Sequence, residues 1–112
     1  MNDTFKTMKI FLDTADTQAI AEGYDTGLID GITTNPTLIM KSGRDPEGVY
    51  QELIDLGIPD ISMEVVGNRE QMLWEGRRLA NKFGREATIK VPCTPDGLYV
   101  CRQLSRSLVK VN

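Results

Sequence analysis

The chain has 112 residues, 40% of them hydrophobic, a formal net charge of −3, two cysteines and no histidine. That size suits one small domain and not two; no Lys/Arg block or aromatic-basic interleaving points to nucleic acid, and no apolar run approaches the ~20 residues of a membrane span. The lack of histidine, with Cys93 and Cys101 at no metal spacing, argues against zinc and against a Ser-His or Cys-His nucleophile, and a reduced cytoplasmic setting is the default.

Met1 to Thr7 is polar, lacks the apolar middle of a secretion signal, and reads as a short extension ahead of a second methionine, Met8. Met8 to Leu12 is a first strand ending on Asp13-Thr14. Ala15 to Asp25 follows as a short helix with Ala19, Ile20 and Tyr24 inward. Leu28 to Ile32 is a second strand, broken at Thr33-Thr34-Asn35-Pro36, and Thr37 to Lys41 makes a brief turn of helix. Asp45 then caps a helix with Pro46 in its first position. Val49, Tyr50, Leu53 and Leu56 recur along it at helical spacing. Ile61 to Val66 is a third strand. Asn68 opens the next helix, with Gln71 as its capping-box partner, and Met72, Gly76, Leu79, Ala80 and Phe83 form the inner stripe. Ala87 to Val91 is a fourth strand, Pro95 to about Arg106 a helix, and Leu108 to Asn112 the opening of a fifth strand. Strands alternating with helices predict a parallel sheet of right-handed crossovers.

Strand side chains alternate between faces. Ile10 and Leu12 oppose Phe11 and Asp13. Ile61, Met63 and Val65 oppose Ser62, Glu64 and Val66. Ala87, Ile89 and Val91 oppose Thr88 and Lys90, and Val109 and Val111 oppose Lys110 and Asn112. Gly31, Thr33 and Asn35 are assignable to the same polar side. A doubly wound sheet buries both faces under helices and should be apolar on both. A barrel keeps its helices outside and carries a site at the C-terminal rim of its strands. One rim accounts together for Asp13, Asn35, Glu64, Lys90 and Asn112.

Each residue also has a plainer explanation. Lys90 could reach out to solvent from a strand end. Asp13 could be a helix N-cap, and Thr33 to Pro36 only turn chemistry. Glu64 could serve only to neutralise Lys90, and Asn112 could be frayed. Cys93 and Cys101 fit small hydrophobes, and Trp74 with Arg77 and Arg78 fits ordinary helix surface. The lack of a Gly-rich phosphate loop after the first strand weighs against a flavodoxin-like binding module.

Three segments, Ile10 to Ala15, Gly31 to Thr37 and Ile89 to Leu98, resemble the small transaldolases and fructose-6-phosphate aldolases in order and spacing, with similarity from Met8 to Asn112. The resemblance implies an α/β fold: a parallel (β/α) half-barrel, the first four βα units plus the start of strand five of a (β/α)8 barrel, truncated at residue 112. It implies a Schiff-base lysine at Lys90, with Asp13 and Glu64 as its catalytic partners. Substrate contacts fall on Thr33, Asn35 and Asn112. Glu64, where aldolases of the group tend to carry Gln, tilts the expectation from a fructose-6-phosphate aldolase-type lyase to a transaldolase. Leu108 stands where relatives usually have Gly.

The implied chemistry is class I transfer of a dihydroxyacetone unit between sugar phosphates in the pentose phosphate pathway, with no metal or organic cofactor. A solvated lysine amine is neutral in about one molecule in 2,500 at pH 7, so the reaction needs an amine shielded from water. A half-barrel leaves its inner face wet and its edge strands unpaired. The expectation is a poor catalyst alone, and a homo-oligomer or the partner of a complementing C-terminal half. A non-catalytic half-barrel serving only in assembly is the competing expectation.

Overall fold

A computed structural model describes residues 8–112; the extension expected at Met1 to Thr7 lies outside the described residues. The chain forms two compact units, one ending at Ile61 and one running from Ser62 to Asn112. Its four strands are β1 (Phe11–Asp13), β2 (Gly31–Thr33), β3 (Ile61–Glu64) and β4 (Ala87–Lys90). In the first unit β1 neighbours β2 in parallel, and in the second β3 neighbours β4, with helices alternating between the strands. Within each unit, strands that neighbour in the sheet are also successive in the chain, as expected of consecutive βα units from a barrel.

In the first unit, α1 (Thr17–Asp25) connects β1 to β2, which pair in the register Phe11↔Gly31, Leu12↔Ile32, Asp13↔Thr33. The second strand begins three residues later than the sequence suggests: Leu28 is exposed, and the register with β1 starts at Gly31. Gly31 is required by close approach: a Cβ there would lie 2.5 Å from the Asp60 carbonyl oxygen. The next amide, Ile32 N, donates to that same oxygen at 2.9 Å. Asp16, not Asp13, caps α1, accepting from the amides of Gln18 and Ala19. Ile20 is the buried residue of this helix, and Ala19 faces solvent. Helices α2 (Pro36–Lys41) and α3 (Pro46–Asp55) follow. Asp45 and Pro46 start α3 as anticipated, and Val49, Tyr50 and Leu53 are buried. Leu56 is 40% exposed because the helix has already ended there. With Ile32, Ile39 and Ile58 these residues make the first unit's core.

In the second unit, α4 (Arg69–Phe83) begins with the full capping box, Asn68 and Gln71 each bonding the other's amide at 2.8 Å. Met72, Gly76, Leu79 and Phe83 form its buried stripe, while Ala80 is only half-buried. Helix α5 (Pro95–Arg106) is capped by Thr94 and buries Gly97, Val100 and Leu104. A Cβ on Gly97 would sit 1.8 Å from the Pro92 carbonyl oxygen, so only glycine lets the first turn of α5 rest on the segment leaving β4. The fifth strand opens as expected: Val111 bridges Ile89 in parallel, and Ile89 N donates to Lys110 O at 2.8 Å. Val91 N donates to Asn112 O at 3.0 Å.

Leu108 takes a φ of 63°, the one positive-φ non-glycine among the described residues, and is 93% exposed. An L-residue in this region costs about 1–2 kcal/mol, offset partly by the greater chain entropy glycine loses on folding. Leu108→Gly is expected to stabilise the chain by about 0.5–1 kcal/mol, read as a raised urea midpoint at unchanged slope. Gly97→Ala is expected to destabilise by about 3 kcal/mol, with the midpoint falling in the same assay.

Candidate functional site

Lys90 ends β4 on the side opposite Ala87 and Ile89, which are 3% and 0% exposed and packed under helices. The last residue of β3, Glu64, lies beside it. The two strand ends are tied by Val65 N donating to Lys90 O at 3.1 Å. Lys90 Nζ stands 3.9 Å from Glu64 Oε1, with the side chains 32% and 24% exposed. That separation exceeds hydrogen-bond reach and lies within the range of strong charge coupling. It also leaves both groups open to a shared water bonded off the line between them. Lys90 is thus partly exposed and has an acidic neighbour as well. Glu64 does neutralise it, and both remain accessible from one side.

Asn112 joins this face from the fifth strand. Its backbone is held by Asn112 N donating to Ile89 O at 2.8 Å. Its side-chain Nδ2 donates to Ser62 Oγ at 3.1 Å. Ser62 is 1% exposed and lies two residues before Glu64, on the same face. The bond crosses the intervening β4. Two strand spacings are about 9.5 Å in a flat sheet, more than the short Asn and Ser side chains can close. The second unit's strands therefore curve toward their polar face, and Glu64, Lys90, Asn112 and Ser62 line the concave side. Ser62 was missed as a site residue, although its alternation with Glu64 was visible.

In the first unit, Asp13 and Thr33 are register partners at the ends of β1 and β2. Thr33 Oγ1 donates to Asp13 Oδ1 at 2.9 Å. Since Asp16 caps α1, Asp13 has no helix-capping duty. Asn35 does have one: its Oδ1 accepts from Thr37 N at 2.9 Å and Leu38 N at 3.3 Å, capping α2. The plainer explanation thus holds for that oxygen, and Nδ2 takes no part in the cap.

The remaining candidates stay peripheral. Cys93 is exposed and Cys101 half-buried, both as free thiols. Trp74 is 65% exposed, with the Arg78 guanidinium 5.9 Å from its ring centroid. Arg69 joins the starts of α4 and α5, 3.2 Å from Asp96 and 4.0 Å over the Tyr99 ring. No helix of the described residues is long and apolar enough to cross a membrane.

Comparison with known proteins gives this geometry a context. The family model described as Transaldolase/Fructose-6-phosphate aldolase matches residues 10–112. A probable transaldolase from Roseobacter denitrificans is 50% identical over 106 residues, covering 94% of this chain and 48% of the relative. Probable transaldolases from Geobacter sulfurreducens and Nitrosopumilus maritimus are 45% and 44% identical, each covering 94% of this chain and 49% and 47% of the relative. The chain therefore spans about half the length of the curated relatives it matches.

Proposed function

The chain belongs to the transaldolase/fructose-6-phosphate aldolase family, and from that membership we propose that it carries the Schiff-base half of a transaldolase site. The observation that carries this reading is the Lys90 amine on a concave polar face, 3.9 Å from Glu64. In its neutral form, Lys90 Nζ attacks the ketone carbon of a ketose phosphate to give a carbinolamine. Glu64, through a water, shuttles the protons that let hydroxide leave as water, and an iminium results. Asp13 then takes the proton of the substrate hydroxyl. The C–C bond breaks, its electron pair moves toward the iminium nitrogen, and an aldehyde phosphate departs. The three-carbon enamine stays on Lys90 until an acceptor aldehyde takes it up. Asn35 through Nδ2, and Asn112, hold its hydroxyl groups.

Glu64 and the transaldolase names of the relatives favour transfer over simple aldol cleavage. The proposed setting is the pentose phosphate pathway in the cytoplasm. The proposed domain is the N-terminal part of a (β/α)8 barrel, residues 8–112. Its proposed partner is a second copy or a complementing C-terminal half, because an incomplete sheet leaves backbone donors and acceptors at its edges. Sedimentation velocity is expected to show an oligomer or a loosely folded chain; a compact, stable monomer counts against that partner.

The chemistry is tested by borohydride reduction with fructose 6-phosphate and peptide mass mapping. The expected result is a reduced adduct on Lys90, lost in Lys90→Arg. Glu64→Ala is expected to slow adduct formation by about 10²-fold or more. No adduct on Lys90 even at high pH overturns the enzyme reading and favours a purely structural half-barrel.

A further inference from the structure

We infer that Thr33 is a positioning residue for Asp13 and does not itself hold the substrate. The inference rests on the Schiff-base reading above and assigns Thr33 a different role from the substrate contact that the family resemblance implies.

The first observation is the register. Parallel pairing sets Asp13 directly opposite Thr33, so their side chains leave the same face about one strand spacing, ~4.8 Å, apart. The second is the bond: Thr33 Oγ1 donates to Asp13 Oδ1 at 2.9 Å. A hydroxyl has one proton to give, and this one is committed to the carboxylate. Thr33 keeps only acceptor capacity toward any other group. The third observation is that Asp16 has taken the capping of α1, so no helix amide orients Asp13. Among the described residues, the Thr33 hydroxyl is the polar partner found for that carboxylate.

These facts define a division of labour between the two carboxylate oxygens. Oδ1 is held by Thr33. Oδ2 is left to receive the hydroxyl proton as the C–C bond breaks. Threonine suits the task because its branched Cβ restricts χ1, so the hydroxyl is aimed before substrate arrives.

The test separates imine formation from bond cleavage. Borohydride trapping on Lys90 with fructose 6-phosphate gives a six-carbon adduct before cleavage and a three-carbon adduct after it, distinguished by mass. Thr33→Val keeps the shape and removes the hydroxyl. The expected result is six-carbon adduct at the wild-type level and three-carbon adduct forming about tenfold more slowly. Thr33→Ser should restore most of that rate. Loss of both adducts together in Thr33→Val, restored in saturating substrate, marks Thr33 as a substrate contact and overturns the inference. Wild-type kinetics of both adducts in Thr33→Val also overturns it. A wild-type chain yielding neither adduct overturns the proposed function instead. The positioning is then read without substrate, from the Asp13 carboxyl carbon resonance. A resonance that moves in Thr33→Val and returns in Thr33→Ser supports the inference; one unmoved in Thr33→Val overturns it.

Discussion

A lysine amine at the end of a mostly buried strand is favoured by an opposite charge within reach, and this pairing organises the second unit. An unpaired ammonium out of water is costly. Glu64 meets that need at 3.9 Å, and it can do so only from the end of an adjacent strand running the same way. The remaining features follow from holding those two ends together. The opposite face of β4 is packed with Ala87 and Ile89 under α4, which α5 in turn packs against. The amide of Val65 ties β3 to β4 at the level of Lys90. The pair is partly exposed, and ion pairs of that kind contribute little net stability. Its value lies in where it places an amine.

Much of this was legible because its causes are local. The capping box of α4, the Asp45-Pro46 start of α3 and the alternation of β3 and β4 are set by neighbours within four residues, and the structure matches them. The start of β2 was not legible, since Leu28 is as apolar as a strand residue and only the partner strand decides where pairing begins. Asp13 and Asp16 are equally good caps on paper. The choice of Asp16 depends on the helix starting at Thr17, which periodicity does not supply. Ser62 and Thr33 acquire their roles from residues 50 and 20 positions away, which no pattern in a single strand reveals. The strain at Leu108 was foreshadowed only by the expectation of glycine there.

The two units handle their polar ends alike. Each supplies a proposed site side chain from one strand and a hydroxyl from another strand to hold it: Thr33 for Asp13, and Ser62 for Asn112. A hydroxyl is a cheap support, because it adds no charge and little side-chain entropy. Asn35 is fixed by a different device, the N-cap of α2, which commits its oxygen to Thr37 N and Leu38 N. The proposed site residues are thus anchored by secondary structure rather than left on loose loops, the arrangement that preserves geometry best.

The Asn112–Ser62 bond also bears on the order of assembly. Its partners are 50 residues apart in the chain, whereas the caps of α3, α4 and α5 close over three residues. Short loops close at small entropic cost, and long ones wait for the elements between them to dock. The concave face is therefore expected to be completed after α4 and α5 have folded onto β4. The same ordering makes it an early point of partial unfolding, so any ligand that bridges it would act as a clasp and slow the chain's opening from that side.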